Sequence, residues 1–253
     1  MRFSLFYNPF DLVERLAIAS QRRRQRRRLR GTPAAALGLG HLDSLALLEL
    51  LQSAPPRVIH DIGANVGTWT CLAKSLFPAA RVEAFEPLGQ HEAAFRRWTA
   101  PWPDDVRLHR LALGATEGSA EMMVADFSDA SSLLPLTEEG RRTFRISPVG
   151  HETVPVATLD RLVASGRAAA PDLLKLDVQG YELEVLRGAE NCLQQARAVL
   201  CEVSFRRLYE RQALSGDLFV FLEARGYVLQ ALGSNLRPGT PLVQADALFL
   251  RIT

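Results

Sequence analysis

Two glycines, Gly63 and Gly67, punctuate the segment Val58-Ile59-His60-Asp61-Ile62-Gly63-Ala64-Asn65-Val66-Gly67-Thr68, between an apolar run and a helical stretch. Glycine lets backbone approach a ligand closely, and the start of a helix presents unpaired N–H groups. This is a binding turn. Its G-x-x-x-G spacing differs from the G-x-G-x-x-G of dinucleotide sites that hold a pyrophosphate. Asp61 beside the turn attracts a cationic ammonium group and repels phosphate. Glu86, in Ala84-Phe85-Glu86-Pro87, follows about twenty residues later at the end of the next apolar run, where an acid can accept both hydroxyls of a ribose.

An ammonium-bearing amino acid joined to a ribose describes S-adenosylmethionine. Asp61, Gly63, Ala64, Asn65, Gly67, Glu86 and Pro87 are the residues expected around it, with Ala112 and Leu113 of Leu111-Ala112-Leu113-Gly114 flanking the adenine. Ligands of open α/β sheets lie beyond the carboxyl ends of the strands, so Asp61, Glu86, Asp177 and Glu202 are expected on one rim. Methyl transfer is an in-line displacement, and the protein must align an acceptor and take its proton. Asp177, Glu202 and His151 are the candidate bases, in that order. Lys175 shares a strand face with Asp177 and is expected to fix its geometry. Asp177 as an acid that only orients the cofactor, Glu202 as a structural residue and His151 as an exposed loop histidine are the competing readings. Two carboxylates at adjacent strand ends do not specify Mg²⁺, so no metal is expected. Tyr181 and Glu182 are read either as lining the acceptor pocket or as residues at the start of a surface helix.

The elements that hold these residues follow from periodicity. Short apolar runs alternating with helical segments specify a mainly parallel sheet wrapped by helices. Strands are expected at Arg57–Ile62, Arg81–Phe85, Val106–Leu111, Leu173–Asp177, Ala198–Val203, Tyr227–Ala231 and Ala247–Arg251. This is an α/β, Rossmann-like arrangement with the seven strands of a class I methyltransferase. Extended pieces at Ser119–Ala125 and Thr153–Val156, with the polar loop Asp126–Gly150 between them, are too long for a crossover and read as an inserted hairpin, about 115–155, that shapes a substrate pocket. Upstream, an amphipathic helix is expected at Leu5–Ser20 and a second at His41–Gln52 with Leu42, Leu45, Leu48 and Leu51 on one side. The expected division is a helical extension, 1–54, and a catalytic domain, 55–253.

The 253 residues are 47% hydrophobic and 23% charged, an ordinary globular composition. Net charge is +2, and setting aside the seven arginines between Arg22 and Arg30 leaves −5 elsewhere. The basic run, behind an amphipathic segment, points to peripheral contact with an anionic membrane or a phosphorylated carrier; a solvated helix end is the plainer alternative. Cys71, Cys192 and Cys201 lack the spacing of disulfides or a zinc site and read as buried thiols. No apolar stretch approaches the roughly 18 residues that span a bilayer, and the expected setting is cytoplasmic. Oligomeric state is left open.

The order and spacing of several motifs resemble the FkbM family of methyltransferases from about Pro56 onward. The matching pieces are Asp61-Ile62-Gly63-Ala64-Asn65-Val66-Gly67, Phe85-Glu86-Pro87, Ala112-Leu113-Gly114, Ser131-Ser132-Leu133, Val156-Ala157-Thr158-Leu159-Asp160 and Leu174-Lys175-Leu176-Asp177-Val178-Gln179-Gly180-Tyr181-Glu182-Leu183-Glu184-Val185-Leu186-Arg187-Gly188-Ala189. The resemblance implies methyl transfer from S-adenosylmethionine to a hydroxyl of a sugar, glycan or secondary metabolite. It implies Asp61, Gly63, Asn65, Gly67 and Glu86 around the cofactor and Asp177 facing the methyl donor. Family members typically carry Glu where this chain has Gln179, so a carboxylate role does not carry over, although an amide can still hydrogen-bond a hydroxyl.

A nucleic-acid methyltransferase is the rival enzyme. It is disfavoured by the lack of an Asn/Asp-Pro-Pro-Tyr-type tetrad at the fourth strand, of a Pro-Cys nucleophile and of a stacking platform. A non-catalytic S-adenosylmethionine-binding scaffold is the alternative that Gln179 favours. A nicotinamide dehydrogenase ranks below both.

Overall fold

A computed structural model describes residues 20, 23–37, 42–233 and 241–252. The helix expected at Leu5–Ser20 lies outside them except for Ser20, as does Arg22 of the basic run. Residues 23–28 are helical. They lead to α1 (Leu42–Glu49), β1 (Val58–Ile62), α2 (Thr68–Leu76), β2 (Arg81–Phe85), α3 (Glu92–Thr99) and β3 (Val106–His109). Next come β4 (Ala112–Leu113), β5 (Gly118–Ala125), α4 (Glu138–Phe144), β6 (Pro148–Ala157) and α5 (Leu159–Ala164). The chain closes with β7 (Leu173–Leu176), α6 (Glu182–Arg187), α7 (Glu190–Gln195), β8 (Ala198–Ser204), α8 (Ser215–Glu223), β9 (Tyr227–Leu232) and β10 (Gln244–Arg251).

The main sheet runs β3-β2-β1-β7-β8-β10-β9, with β10 antiparallel to both neighbours and the other pairings parallel. This is the class I methyltransferase fold. Every side chain of β7 is buried, as a central parallel strand covered on both faces requires. Order reverses between β1 and β7, and the crevice beyond their carboxyl ends is where such sheets bind ligands.

One face of the sheet packs Ile62, Leu174, Leu176 and Val199 against α6, α7 and α8. The other packs Ile59, Val82 and Leu200 against Leu72 of α2 and Leu45 and Leu48 of α1. Leu29 belongs to the same cluster, so the described stretch ahead of α1 packs into this core. All three cysteines are buried and free.

Three expectations change in detail. The third strand stops at His109: Leu111 is in a turn, and Ala112–Leu113 swings out of the main sheet to pair with Val156–Ala157. The inserted hairpin is present but longer, β6 extending from Pro148 to Ala157 antiparallel to β5, and with β4 it makes a separate three-stranded sheet. The intervening 126–150 stretch is partly structured: Thr137 caps α4 by accepting from the Gly140 N–H at 3.0 Å, and Ala130, Leu134, Leu136 and Ile146 form an apolar cluster with Leu208 and Tyr209.

Candidate active site

The glycine turn rests on a buried ion pair. Asp61 is fully buried in β1; its Oδ2 accepts from Thr70 Oγ1 at 2.5 Å and its Oδ1 lies 3.0 Å from Lys175 Nζ of β7. Lys175 also donates to the Gly63 carbonyl at 3.0 Å and stands 3.9 Å from Asp177 Oδ2. Burial alone would depress the lysine, yet the Asp61 and Asp177 carboxylates outweigh it and hold the ammonium above its ordinary pKa. Gly63 has φ +79°, and a Cβ there would lie 1.9 Å from the Asp177 carbonyl oxygen. Only glycine brings β1 this close to the end of β7.

Glu86 is the second fixed point. Its Oε2 accepts from the Asn65 N–H and its Oε1 from the Leu88 N–H, both at 2.9 Å, and His91 Nδ1 approaches Oε1 at 3.2 Å. Oε2, with that one partner, keeps a further lone pair. Beside it, Asn65 adopts φ 47° and its amide donates to Asp129 at 2.6 Å, tying the turn to the insert. A cleft opens here, walled by Gly63, Asn65, Glu86 and Pro87 on one side and by Leu111, Ala112, Leu113, Met122 and Leu133 on another.

At its far end the cleft meets Asp177, Gln179 and Tyr181. Gln179 has φ 55°, a conformation uncommon outside glycine, and its amide is held on every side. Nε2 donates to Asp177 Oδ1 at 2.7 Å and to Glu202 Oε2 at 3.1 Å, while Oε1 accepts from the Tyr209 hydroxyl at 3.0 Å. Ser132 Oγ donates to the Gln179 carbonyl at 2.7 Å. The Glu202 carboxyl also accepts from Gln244 Nε2 at 2.6 Å. Burial first, and then the Asp177, Asp246 and Glu182 carboxylates, push Glu202 well above the usual carboxylate range. Glu182, buried at the start of α6, accepts the Val178 and Gly180 N–H groups, each at 3.1 Å, through one oxygen. Burial raises it to about 7.

Of the residues expected from sequence, Gly63, Asn65, Glu86, Pro87, Ala112, Leu113 and Asp177 line this cleft. Asp61, Ala64, Gly67, Lys175, Glu202 and His151 do not. Asp61 has its charge spent on Lys175, so the turn's acid acts beneath the site rather than in it. Ala64 is buried under the turn, and Gly67 starts α2 against Phe95. Lys175 does hold Asp61 and Gly63, and approaches Asp177. Glu202 reaches the site only through Gln179. His151 is an exposed residue of β6, paired with Met123, and leaves the rim to the other candidates. Tyr181 is in the wall, whereas Glu182 is buried behind it. Sequence reading missed His91, Asp129 and Tyr209. None stands in a recognisable spacing, although Ser131 and Ser132 mark the segment that carries Asp129.

Other quoted motif residues fasten the frame. A Cβ on Gly188 would lie 2.0 Å from the Gly114 carbonyl oxygen, and the Gly188 carbonyl accepts from the Asp160 N–H at 3.1 Å. The Asp160 carboxylate in turn accepts the Asn191 and Cys192 N–H groups, both at 2.9 Å. These contacts lock the segments that flank the insert to α6 and α7.

Residues 61–229 match the family described as the methyltransferase FkbM domain. The chain belongs to the FkbM methyltransferase family. Among curated relatives, it is 34% identical over 167 residues to the hexuronic acid methyltransferase AglP of Haloferax volcanii, a match covering 65% of this chain and 62% of AglP. It is 27% identical over 227 residues to the 31-O-demethyl-FK506 methyltransferase FkbM of Streptomyces tacrolimicus, covering 81% and 85% respectively. In fold it is similar to the precorrin-6y C5,15-methyltransferase of Geobacter metallireducens, with a TM-score of 0.50, 13% identity and coverage of 86% of this chain and 90% of that one. The FkbM-family match begins at Asp61 and takes in the Glu86, Asp177 and Gln179 segments described above.

Proposed function

We propose that this chain is an S-adenosylmethionine-dependent O-methyltransferase acting on a hydroxyl of a sugar, glycan or secondary metabolite. The observation that carries the reading is Glu86: a nearly buried carboxylate with both oxygens anchored by backbone N–H groups, lining the cleft beside a glycine turn that a Cβ would fill. That cradle fits a ribose. Glu86 would accept the ribose hydroxyls, Leu111, Ala112, Leu113 and Met122 would cover the adenine, and Asp129 would meet the ammonium of the methionyl end. When bound, the cofactor supplies an electrophilic methyl group on a sulfonium centre.

The chain's own work is alignment and proton removal. Asp177 would accept the acceptor proton as that oxygen gains positive character. Gln179 would hold Asp177 in place, and Lys175 would act as a positioning residue beneath both. A Glu202 pKa raised above the usual range favours its protonated form and limits negative charge behind Gln179. Residues 55–253 would carry the reaction, with 1–54 as an accessory segment.

The test is incubation with methyl-labelled S-adenosylmethionine and a panel of neutral and acidic glycosides, read by NMR. Label appearing on an acceptor oxygen is the expected result. Tight cofactor binding with no transfer to any acceptor would favour the scaffold reading.

We further propose peripheral contact of the Arg22–Arg30 segment with an anionic surface. Arg23, Arg24, Arg26, Arg27 and Arg30 are exposed while Gln25 and Leu29 are buried, so the basic side faces outward. Arg28 is exposed as well, and pairs with Glu49 at 3.0 Å. Among the described residues no helix is long and apolar enough to cross a membrane. Salt-sensitive cosedimentation with anionic liposomes, lost on deleting residues 1–31, is the expected result.

A further inference from the structure

Tyr181 is a shared wall. One side faces the cleft that holds Asp177; the other faces a groove bordered by Gly180, Leu134, Arg187, Arg207 and Arg211. The groove lies between the turn after β7 and the loop after β8, which pack tightly: a Cβ on Gly180 would sit 3.2 Å from both Tyr209 and Gln212.

The loop is organised from within. Gln212 Oε1 accepts the Leu208 and Tyr209 N–H groups at 2.8 and 3.1 Å, its Nε2 donates to Ser204 Oγ at 2.7 Å, and Leu208, Tyr209 and Gln212 are buried. Charges around the groove divide unequally. Arg187 is ion-paired with Glu184, and Asp217 accepts the Leu214 N–H at 2.9 Å. Arg207 and Arg211 are exposed and make no ion pair or side-chain hydrogen bond among the described residues, whereas Arg206 beside them pairs with Glu139 at 2.9 Å. Arg211 is also held at φ 58°. Such a conformation in a non-glycine residue persists only where its surroundings enforce it, and these residues gather at ligand sites.

We propose that Arg207 and Arg211 form an oxyanion subsite that grips an acidic group on the acceptor, a carboxylate or a phosphate, while a hydroxyl of the same molecule reaches Asp177 past Tyr181. Guanidinium groups match both anions in geometry and charge. The subsite deepens the O-methyltransferase reading and rests on it.

The test is calorimetric titration of the full chain, saturated with S-adenosylhomocysteine, with three probes: methyl glucuronoside, glucose 1-phosphate and methyl glucoside. At least one acidic probe is expected to bind about tenfold or more tightly than the neutral one, and which acid wins identifies the source of the anion. Arg207→Gln with Arg211→Asn, the latter because asparagine tolerates a positive φ, should abolish the preference. Arg207→Gln with Arg211→Lys, which keeps one cation, should retain part of it. S-adenosylhomocysteine affinity, read in the same samples, should stay within about twofold and reports folded protein. Equal binding of all three probes, no binding of either acid at millimolar concentration, or a preference that survives the double substitution would overturn the subsite. A wild-type chain that binds the acids but not S-adenosylhomocysteine would instead overturn the methyltransferase reading on which it rests.

Discussion

The two halves of the cleft are built on different principles. Around Gly63 and Glu86 the site is made by main chain: the end of one strand, its turn and the end of the adjacent strand, with backbone N–H groups fixing the carboxylate and the Asp177 carbonyl close against Gly63. Around Asp177 it is made by side chains drawn from the insert, from β8 and from the loop beyond it, all converging on Gln179: Ser132 on its main-chain carbonyl, Glu202 and Tyr209 on its side-chain amide. The first half is rigid because backbone approaches backbone. The second is rigid only while a hydrogen-bond network stays complete, and that makes it the half in which acceptor preference can diverge.

The largest effect should come from the pair beneath both halves. Lys175→Met leaves Asp61 buried without its cation, and losing one partner of a buried pair costs about 3–5 kcal/mol; chemical denaturation should give a sharply lowered midpoint. A wild-type-like midpoint would show that Asp61 finds another partner or a proton. Gly63→Ala comes next, with an expected loss of about 3 kcal/mol from overpacking against the Asp177 carbonyl plus strain at φ +79°. Gly226→Ala is its control, because φ is also +79° but nothing lies within 4 Å. The difference between the two in thermal unfolding isolates the contact from the dihedral.

Burial holds Glu182 at about 7, above its unfolded value near 4.5. The folded state therefore binds its proton more tightly, and this contribution to stability, present below pH 4.5, is lost as pH rises through 7. Glu182→Gln keeps an oxygen for the Val178 and Gly180 N–H groups but removes the titration. Its stability relative to wild type should improve by up to about 3 kcal/mol between pH 4.5 and 7; a pH-independent difference would contradict the assignment. His60, which burial lowers to about 4, gives the wild type and the variant the same opposing slope, so it cancels in the comparison. The smallest effect is expected for Tyr209→Phe. Losing its bonds to Gln179 and to the Ala130 carbonyl should cost about 1 kcal/mol and lower kcat with cofactor affinity unchanged, a split visible in initial-rate kinetics.

The contrast between the halves also explains what was legible in the sequence. The strands, the glycine turn, Glu86 and Asp177 are read from local pattern, since each is marked by the residue types within a few positions of it. Asp61 is placed correctly at the end of β1 but points beneath the turn, because the lysine that claims it is 114 residues away. Tyr209 and Asp129 carry no local signal at all; they matter because the insert folds onto the loop after β8. Ala112–Leu113 reads as continuous with the third strand until β6, from far along the chain, offers a better partner. His151 has the right chemistry for a base, but strand pairing turns it to solvent.

Calorimetric titration of S-adenosylmethionine into the wild-type chain and into Glu86→Ala tests the cofactor cradle itself. One-site binding to the wild type is expected, weakened about tenfold or more by the substitution, as follows from losing hydrogen bonds to a charged acceptor. No binding to folded wild-type protein, or affinity indifferent to Glu86, would contradict it.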